Sequence, residues 1–368
     1  IAGYCSPEKY EGVADVYYRN LGRGRFVEAT AEAGLAGPAS AGLGVVAADF
    51  DDDGWTDLYV ANDLDPNLFF RNLGDGRFED LSLLSGTAYG PSGVPEAGMG
   101  IAVGDIDGDA RQDIVVTNFE LETNAVLKNM GAALFTDVRF ASSTAEPSLM
   151  KLAFGVALVD LDHDRDLDLA LANGHILDNA SVFNPVSRYE QENQIFENLG
   201  DGRFRLLAGS GFEDAAVSRG LAAGDLDGDG DLDLVVVNSN ALATVYENLL
   251  DGRREWLQLD LSGRGGNRFG VGARLRVEVG SQPLVREVRT AASYLSQSSL
   301  TAHFGLGESA AAASPVEIVW PGGARQRIRS PHDARVRLIE PAPIESAPDA
   351  SDQVRTESSG SQPRNAGE

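Results

Sequence analysis

The chain has 368 residues, with 56 acidic against 30 basic side chains and a formal net charge of −26. That length can hold two domains with apolar cores, and the charge balance excludes a nucleic-acid binder, whose surface must be basic. Cys5 is the only cysteine, which excludes an intrachain disulfide, and no run of about 18 apolar residues marks a membrane span.

The charge is uneven. Residues 1–252 carry 15 basic and 43 acidic side chains (−28), residues 253–340 carry 13 and 8 (+5), and residues 341–368 carry 2 and 5 (−3). The basic segment can dock on the acidic one, face an anionic partner, or present solvated strand faces; composition leaves all three open.

Residues 15–30, "DVYYRNLGRGRFVEAT", read as two short strands around a tight turn. A spacing then begins that recurs four times. "DFDDDGWTD" supplies Asp49, Asp51, Asp53 and Asp57; "DIDGDARQD" supplies Asp105, Asp107, Asp109 and Asp113. "DLDHDRDLD" supplies Asp160, Asp162, Asp164 and Asp168; "DLDGDGDLD" supplies Asp225, Asp227, Asp229 and Asp233. Carboxylates this close repel one another unless a cation sits among them. In a tight loop, alternate residues turn towards one point, and hard oxygens so gathered suit Ca²⁺. The seventh position, where a backbone carbonyl would bind, is Trp55, Arg111, Asp166 and Asp231. The twelfth is Val60, Val116, Leu171 and Val236, which excludes an EF-hand with its bidentate glutamate. About four calcium sites are expected, on loops numbered 1–4 below.

The sixth position demands a positive φ, which glycine adopts without strain. It is Gly54 and Gly230 in loops 1 and 4 but Ala110 and Arg165 in loops 2 and 3. The first and fourth loops should therefore bind most tightly and the third least.

The loops start 56, 55 and 65 residues apart, and periods of that size indicate propellers or arrays. Each loop is preceded by an apolar run such as "AGLGVVAAD" and followed by one such as "LYVAND". A further pair of runs, as in "NLFFRNLGDGRFED", surrounds a tight turn. Four antiparallel strands per unit make a propeller blade. Residues 15–30 match only the last two strands of one, so either blades precede the chain or those residues complete the last blade of a small ring.

The long third spacing comes from residues 174–193, "GHILDNASVFNPVSRYEQEN". This segment reads as an exposed rim loop whose shortening leaves melting nearly unchanged. Its candidate ligand residues are His175, Phe183, Tyr189 and Gln191, set against a structural reading in which His175 caps a strand end and Tyr189 packs on the next blade. His163, at a variable position of loop 3, should face solvent. His303 reads as a strand residue and His332 as a loop residue.

After residue 252 the acidic loops stop. Leu275, Val277 and Val279 alternate with Arg274, Arg276 and Glu278, the pattern of a half-buried strand. "PVEIVWPGGARQRIR" reads as a hairpin turning at Pro321, Gly322 and Gly323, and "ARVRLIE" as a last strand. A small β-sandwich over 253–340, folding without calcium, fits these signals. Residues 341–368, rich in Pro, Ser and Ala, read as a disordered tail.

The repeats, with loop, flanking strands and turn recurring together, resemble the FG-GAP/VCBS repeat family, the integrin-like calcium propellers. Residues 253–340 resemble the ASPIC/UnbV domain through "GNRFGVGAR", "REVRTAASYLSQSS", "HFGLG" and "VEIVWPGG". With "CSPEKYEG" and "ANGHILDN", the combination resembles bacterial relatives of the cartilage acidic proteins. The resemblance implies an all-β fold, a ring or partial ring of blades carrying Ca²⁺ loops on one face, then a small sandwich. No elbow, zinc-protease, P-loop or dinucleotide motif is present, so no catalytic residue is assigned. The expected function is a non-enzymatic binding or adhesion module, extracellular, periplasmic or at the cell surface, with a protein or glycan ligand and any export signal outside the chain. The alternatives are a carbohydrate-active enzyme on a calcium propeller, or a scaffold of a secreted assembly.

Overall fold

The computed structural model describes residues 9–250, 254–280, 282–308 and 313–342. Cys5, the expected break at 252/253 and the tail beyond 342 lie outside the described residues. Among these the fold is almost wholly β, with helices only at Ala145–Ser148 and Ala180–Phe183. None is long and apolar enough to cross a membrane.

Four antiparallel sheets follow one another along the chain. The first orders Gly42–Ala48, Asp57–Asn62, Leu68–Asn72 and Phe78–Asp80; the second has Ile101–Gly104, Asp113–Val116, Ala125–Asn129 and Phe135–Asp137. The third has Ala153–Val159, Asp168–Asn173, Gln194–Asn198 and Phe204–Leu206; the fourth has Ser218–Gly224, Asp233–Asn238 and Thr244–Tyr246. Each acidic loop joins the first strand of a sheet to the second, as expected.

The first strands lie innermost and in series, the second sheet's against the first's, the third's against the second's and the fourth's against the third's. Glycine makes that approach feasible. A Cβ at Gly44 would stand 2.8 Å from the Met99 carbonyl oxygen, one at Gly100 2.0 Å from that of Phe154, and one at Gly155 2.7 Å from Leu221 Cβ. The second strands of the first three sheets are almost wholly buried, Asp168–Asn173 throughout, while that of the fourth leaves Val237 exposed. Such strands read as continuous apolar runs rather than alternations.

The N-terminal hairpin pairs Tyr18–Asn20 with Phe26–Glu28. The hairpin is its own two-stranded sheet, and among the described residues it pairs with no strand of the fourth blade, contrary to the alternative in which it completes a small ring. Ala33 and Leu35 pack with Val60, Leu68 and Phe70, and the Phe78 amide donates to the Ala33 carbonyl at 2.8 Å. The same link recurs between Phe135 and Ser85 (2.8 Å) and between Phe204 and Ser142 (2.9 Å), tying the outer strand of each of the first three blades to the turn before it.

The C-terminal part has two sheets. One orders Ala302–Gly307, Glu255–Ser262 and Ala334–Ile339; the other orders Gln282–Glu287, Arg274–Val279, Ala313–Val319 and Arg325–Pro331. They share one core, including Leu257, Leu275, Val277, Phe304, Ile318 and Trp320. The expected alternation and the hairpin at Pro321–Gly323 are both present.

This part is joined to the blades along a seam. Ser293 exchanges backbone hydrogen bonds with Ile101 of the second blade, and its hydroxyl accepts from the Val156 amide of the third at 3.0 Å. The Tyr294 ring meets that of Phe154 at a tilt, centroids 4.8 Å apart, and Ser298 and Ser299 bond Ala223 of the fourth blade. Residues 293–299 thus run along the inner strands of three blades.

Candidate metal centres

All four loops fold alike. The sixth residue has positive φ in each: Gly54 at 91°, Ala110 at 70°, Arg165 at 95° and Gly230 at 104°. So does the fourth: Asp52 at 62°, Gly108 at 76°, His163 at 60° and Gly228 at 85°. Loop 3 therefore carries two side chains in the left-handed region, loops 1 and 2 one each, and loop 4 none.

Three carboxylates in each loop converge, with ligand oxygens within 4.8 Å of one another. The sets are Asp49, Asp51 and Asp53; Asp105, Asp107 and Asp113; Asp160, Asp162 and Asp164; and Asp225, Asp227 and Asp229. Each loop also buries one carboxylate oxygen with no hydrogen-bond partner among the described residues: Asp49 Oδ1, Asp107 Oδ1, Asp166 Oδ1 and Asp231 Oδ1. Buried anionic oxygens without donors fit a hard cation, so the donor set suits Ca²⁺. Burial pushes Asp160 up to about 7, Asp113 and Asp168 to about 8 and Asp166 to about 9. Without a nearby positive charge, burial would leave each at least partly protonated near neutral pH.

The ninth-position aspartates tie each loop to its own blade, which spacing alone did not reveal. Asp57, Asp113, Asp168 and Asp233 each accept one amide from loop position two, at 2.8–3.1 Å. The other oxygen of each accepts the amide of Asn72, Asn129, Asn198 or Asn248 on the third strand or just after it, at 2.7–2.9 Å. The last three asparagines then reach across blades, whereas Asn72 donates to the Thr56 carbonyl of its own loop at 2.9 Å. Asn129 Nδ2 donates to the Phe50 carbonyl in loop 1 at 2.8 Å, Asn198 to Ile106 in loop 2 at 2.8 Å and Asn248 to Leu161 in loop 3 at 2.7 Å. The signal was in the sequence, as the N of "RNLG", "KNMG", "ENLG" and "ENLL".

The loops differ in the cations beside them. Arg274 pairs with Asp52 and stands 4.0 Å from Asp49; Lys128 pairs with Asp107; Arg254 pairs with Asp162 at 2.7 Å. Among the described residues no ion pair ends on loop 4. The sixth-position amide donates to the first aspartate in loops 1–3, at 3.0, 2.8 and 3.1 Å. In loop 4 the corresponding oxygen, Asp225 Oδ2, accepts instead from Gln258 Nε2 at 2.9 Å.

One histidine corrects an expectation. His163 does not face solvent: it is buried, its ring 4.9 Å from that of His303. His175 and Gln191 are buried, in keeping with the structural reading set beside the ligand one. His175 Nδ1 accepts the Leu177 amide at 2.9 Å, the Phe119 ring meets it edge-on, and Gln191 Oε1 accepts the Leu152 amide at 2.8 Å. Tyr189 is half-buried and Phe183 is exposed. His303 sits in a strand as expected, and His332 pairs with Glu255.

The C-terminal residues 263–344 match the family profile described as ASPIC and UnbV, and residues 10–60, 49–116 and 182–236 match that of the FG-GAP-like repeat. Cartilage acidic protein 1 of Xenopus tropicalis is 28% identical over 313 residues, 83% of this chain and 45% of that protein. The Homo sapiens protein of the same name is 27% identical over 303 residues, 80% of this chain and 43% of that protein. The chain thus spans less than half the length of these relatives. A solved structure described as specific recognition of non-reducing terminal N-acetylglucosamine by an Agrocybe aegerita lectin aligns at a TM-score of 0.36 and 18% identity, over 64% of this chain and 61% of that one.

Proposed function

We propose that this chain, which is built of FG-GAP-like repeats followed by an ASPIC and UnbV domain and is homologous to cartilage acidic protein 1, is a calcium-binding extracellular or cell-surface binding module without catalytic activity of its own. The observation that carries the reading is the convergence of three aspartates in each of four loops, each loop with a buried oxygen lacking a donor. Residues 1–252 are the repeat domain, 253–340 the second domain and 341–368 a tail. In loops 1, 3 and 4 the first, third and fifth aspartates are the main ligands and the ninth closes the loop; in loop 2 the ninth, Asp113, joins Asp105 and Asp107 in the convergent set; in each the seventh residue adds its carbonyl. Extracellular calcium is plentiful enough to fill such sites, and the ions hold the blades rigid for a protein or glycan ligand.

The test is thermal unfolding of the chain with excess chelator and with millimolar calcium. A ligand of the native state raises the melting temperature by mass action. The rise should shrink in a variant carrying Asp51→Ala, Asp107→Ala, Asp162→Ala and Asp227→Ala together. A melting temperature indifferent to calcium would reject the reading.

A further inference from the structure

The first aspartate of every loop faces the C-terminal part. Asp49 lies 4.0 Å from Arg274. Asp160, Asp105 and Asp166 all act electrostatically on the buried Arg286 guanidinium. Asp160 Oδ2 also accepts the Gly305 amide at 3.1 Å, and Asp225 Oδ2 accepts from Gln258. Gln258 and His303 are paired residues on neighbouring strands, and Trp256 is paired with Gly305. A single sheet surface therefore touches loops 3 and 4 together.

At loop 4 the contact replaces part of the loop itself. Gln258 supplies the donor that the sixth-position amide supplies in the other three loops. It also reaches the Gly230 carbonyl at 3.3 Å, which His303 Nε2 meets at 3.1 Å. Gln258 is 1% exposed, and its Oε1 has no hydrogen-bond partner among the described residues. Asp231 Oδ1, on the same loop, is likewise buried and unmatched. A buried amide oxygen and a buried carboxylate oxygen without donors, beside three convergent aspartates, point to a cation rather than to a hydrogen-bonded turn.

We infer that the loop 4 site is completed across the seam: Gln258 is a positioning residue that locks Asp225 for the metal, so that this site needs the C-terminal part to bind tightly. This rests on the reading of the loops as metal sites. Partners that orient a ligand typically change metal affinity on the order of 10–100-fold when removed.

Two tryptophans make the test local. Trp55 lies within loop 1, and the Trp256 indole presses on Gly230 of loop 4, where an added Cβ would come within 2.0 Å of it. Terbium, a calcium substitute, is titrated by luminescence sensitised through tryptophan. In a Trp55→Phe background the emission that Asp227→Asn removes reports loop 4, and in a Trp256→Phe background the emission that Asp51→Asn removes reports loop 1; the third tryptophan, Trp320, is buried in the C-terminal core and common to both. Gln258→Leu and the shorter Gln258→Asn should each weaken loop 4 on the order of 10–100-fold while loop 1 titrates as before. A general loss of folding would weaken both, and the Asn variant, which stays polar, guards against it. Asp227→Asn tests the underlying reading, since it should abolish loop 4 emission. If Asp227→Asn abolishes emission but both Gln258 variants bind like the parent, the inference is wrong and the metal reading stands. If Asp227→Asn changes nothing, both fall.

Discussion

At the residue scale, backbone strain ranks the loops. Loop 4 has glycine at both left-handed positions, and loop 3 has His163 and Arg165 there. A side chain in that region costs on the order of 1 kcal/mol, part of which a glycine loses again through the entropy of the unfolded chain. Ala110→Gly should therefore raise stability by up to about 1 kcal/mol. Denaturant unfolding in calcium would measure it, and a clear loss would refute the strain argument. His303 gives a pH dependence. Burial holds it down at about 3, helped by His163 and Arg286. A pKa depressed on folding stabilises above the unfolded value of about 6.5 and stops doing so as pH falls towards the folded value. His303→Gln can still donate to the Gly230 carbonyl and does not titrate. Between pH 7 and pH 5 the parent should lose melting temperature relative to this variant; parallel profiles would exclude His303 as the cause.

At the element scale, the loops and their strands were legible because their signals are local: a fixed aspartate spacing, then an apolar run. The bonds between elements were not. Asn129, Asn198 and Asn248 stand where a polar residue reads as the end of a strand, and nothing in spacing says that each reaches a carbonyl in the preceding blade. Asn198→Leu removes donors to Ile106 and Leu167 and strands both buried carbonyls, so it should cost about 2–4 kcal/mol. A loss under 0.5 kcal/mol, the usual scale for surface changes, would mean that this link is idle. The 174–193 insertion shows the same limit. Its length suggested a free rim loop, but Asn193 accepts the Asn173 amide at 2.9 Å and Asn184 donates to Glu120 at 2.8 Å. Cutting it to a short turn should lower stability by about 2 kcal/mol or more, where an unanchored loop would leave melting unchanged.

At the scale of the whole molecule, the uneven charge has a structural outlet. The basic C-terminal part sets Arg274 and Arg254 against loops 1 and 3, and buries Arg286 near Asp105 and Asp160. Composition allowed that docking but could not choose it, because arginines on alternate strand positions look the same whether solvated or docked. The segment "ASYLSQSS" was visible as a family resemblance, yet its place along three inner strands depends on contacts more than a hundred residues away in the chain, such as Ser293 with Val156. The C-terminal sheets still have their own shared core. Residues 253–340 expressed alone should therefore show the same β circular dichroism with and without chelator; a fold appearing only with calcium would contradict this.

The central claim is that the aspartates cluster because each set surrounds an ion. Equilibrium dialysis against radioactive calcium, on chain first stripped with chelator and returned to millimolar calcium, counts the ions directly. The account predicts about four per chain, falling by one when Asp225, Asp227 and Asp229 are all changed to Ala. No bound calcium at that concentration would contradict it.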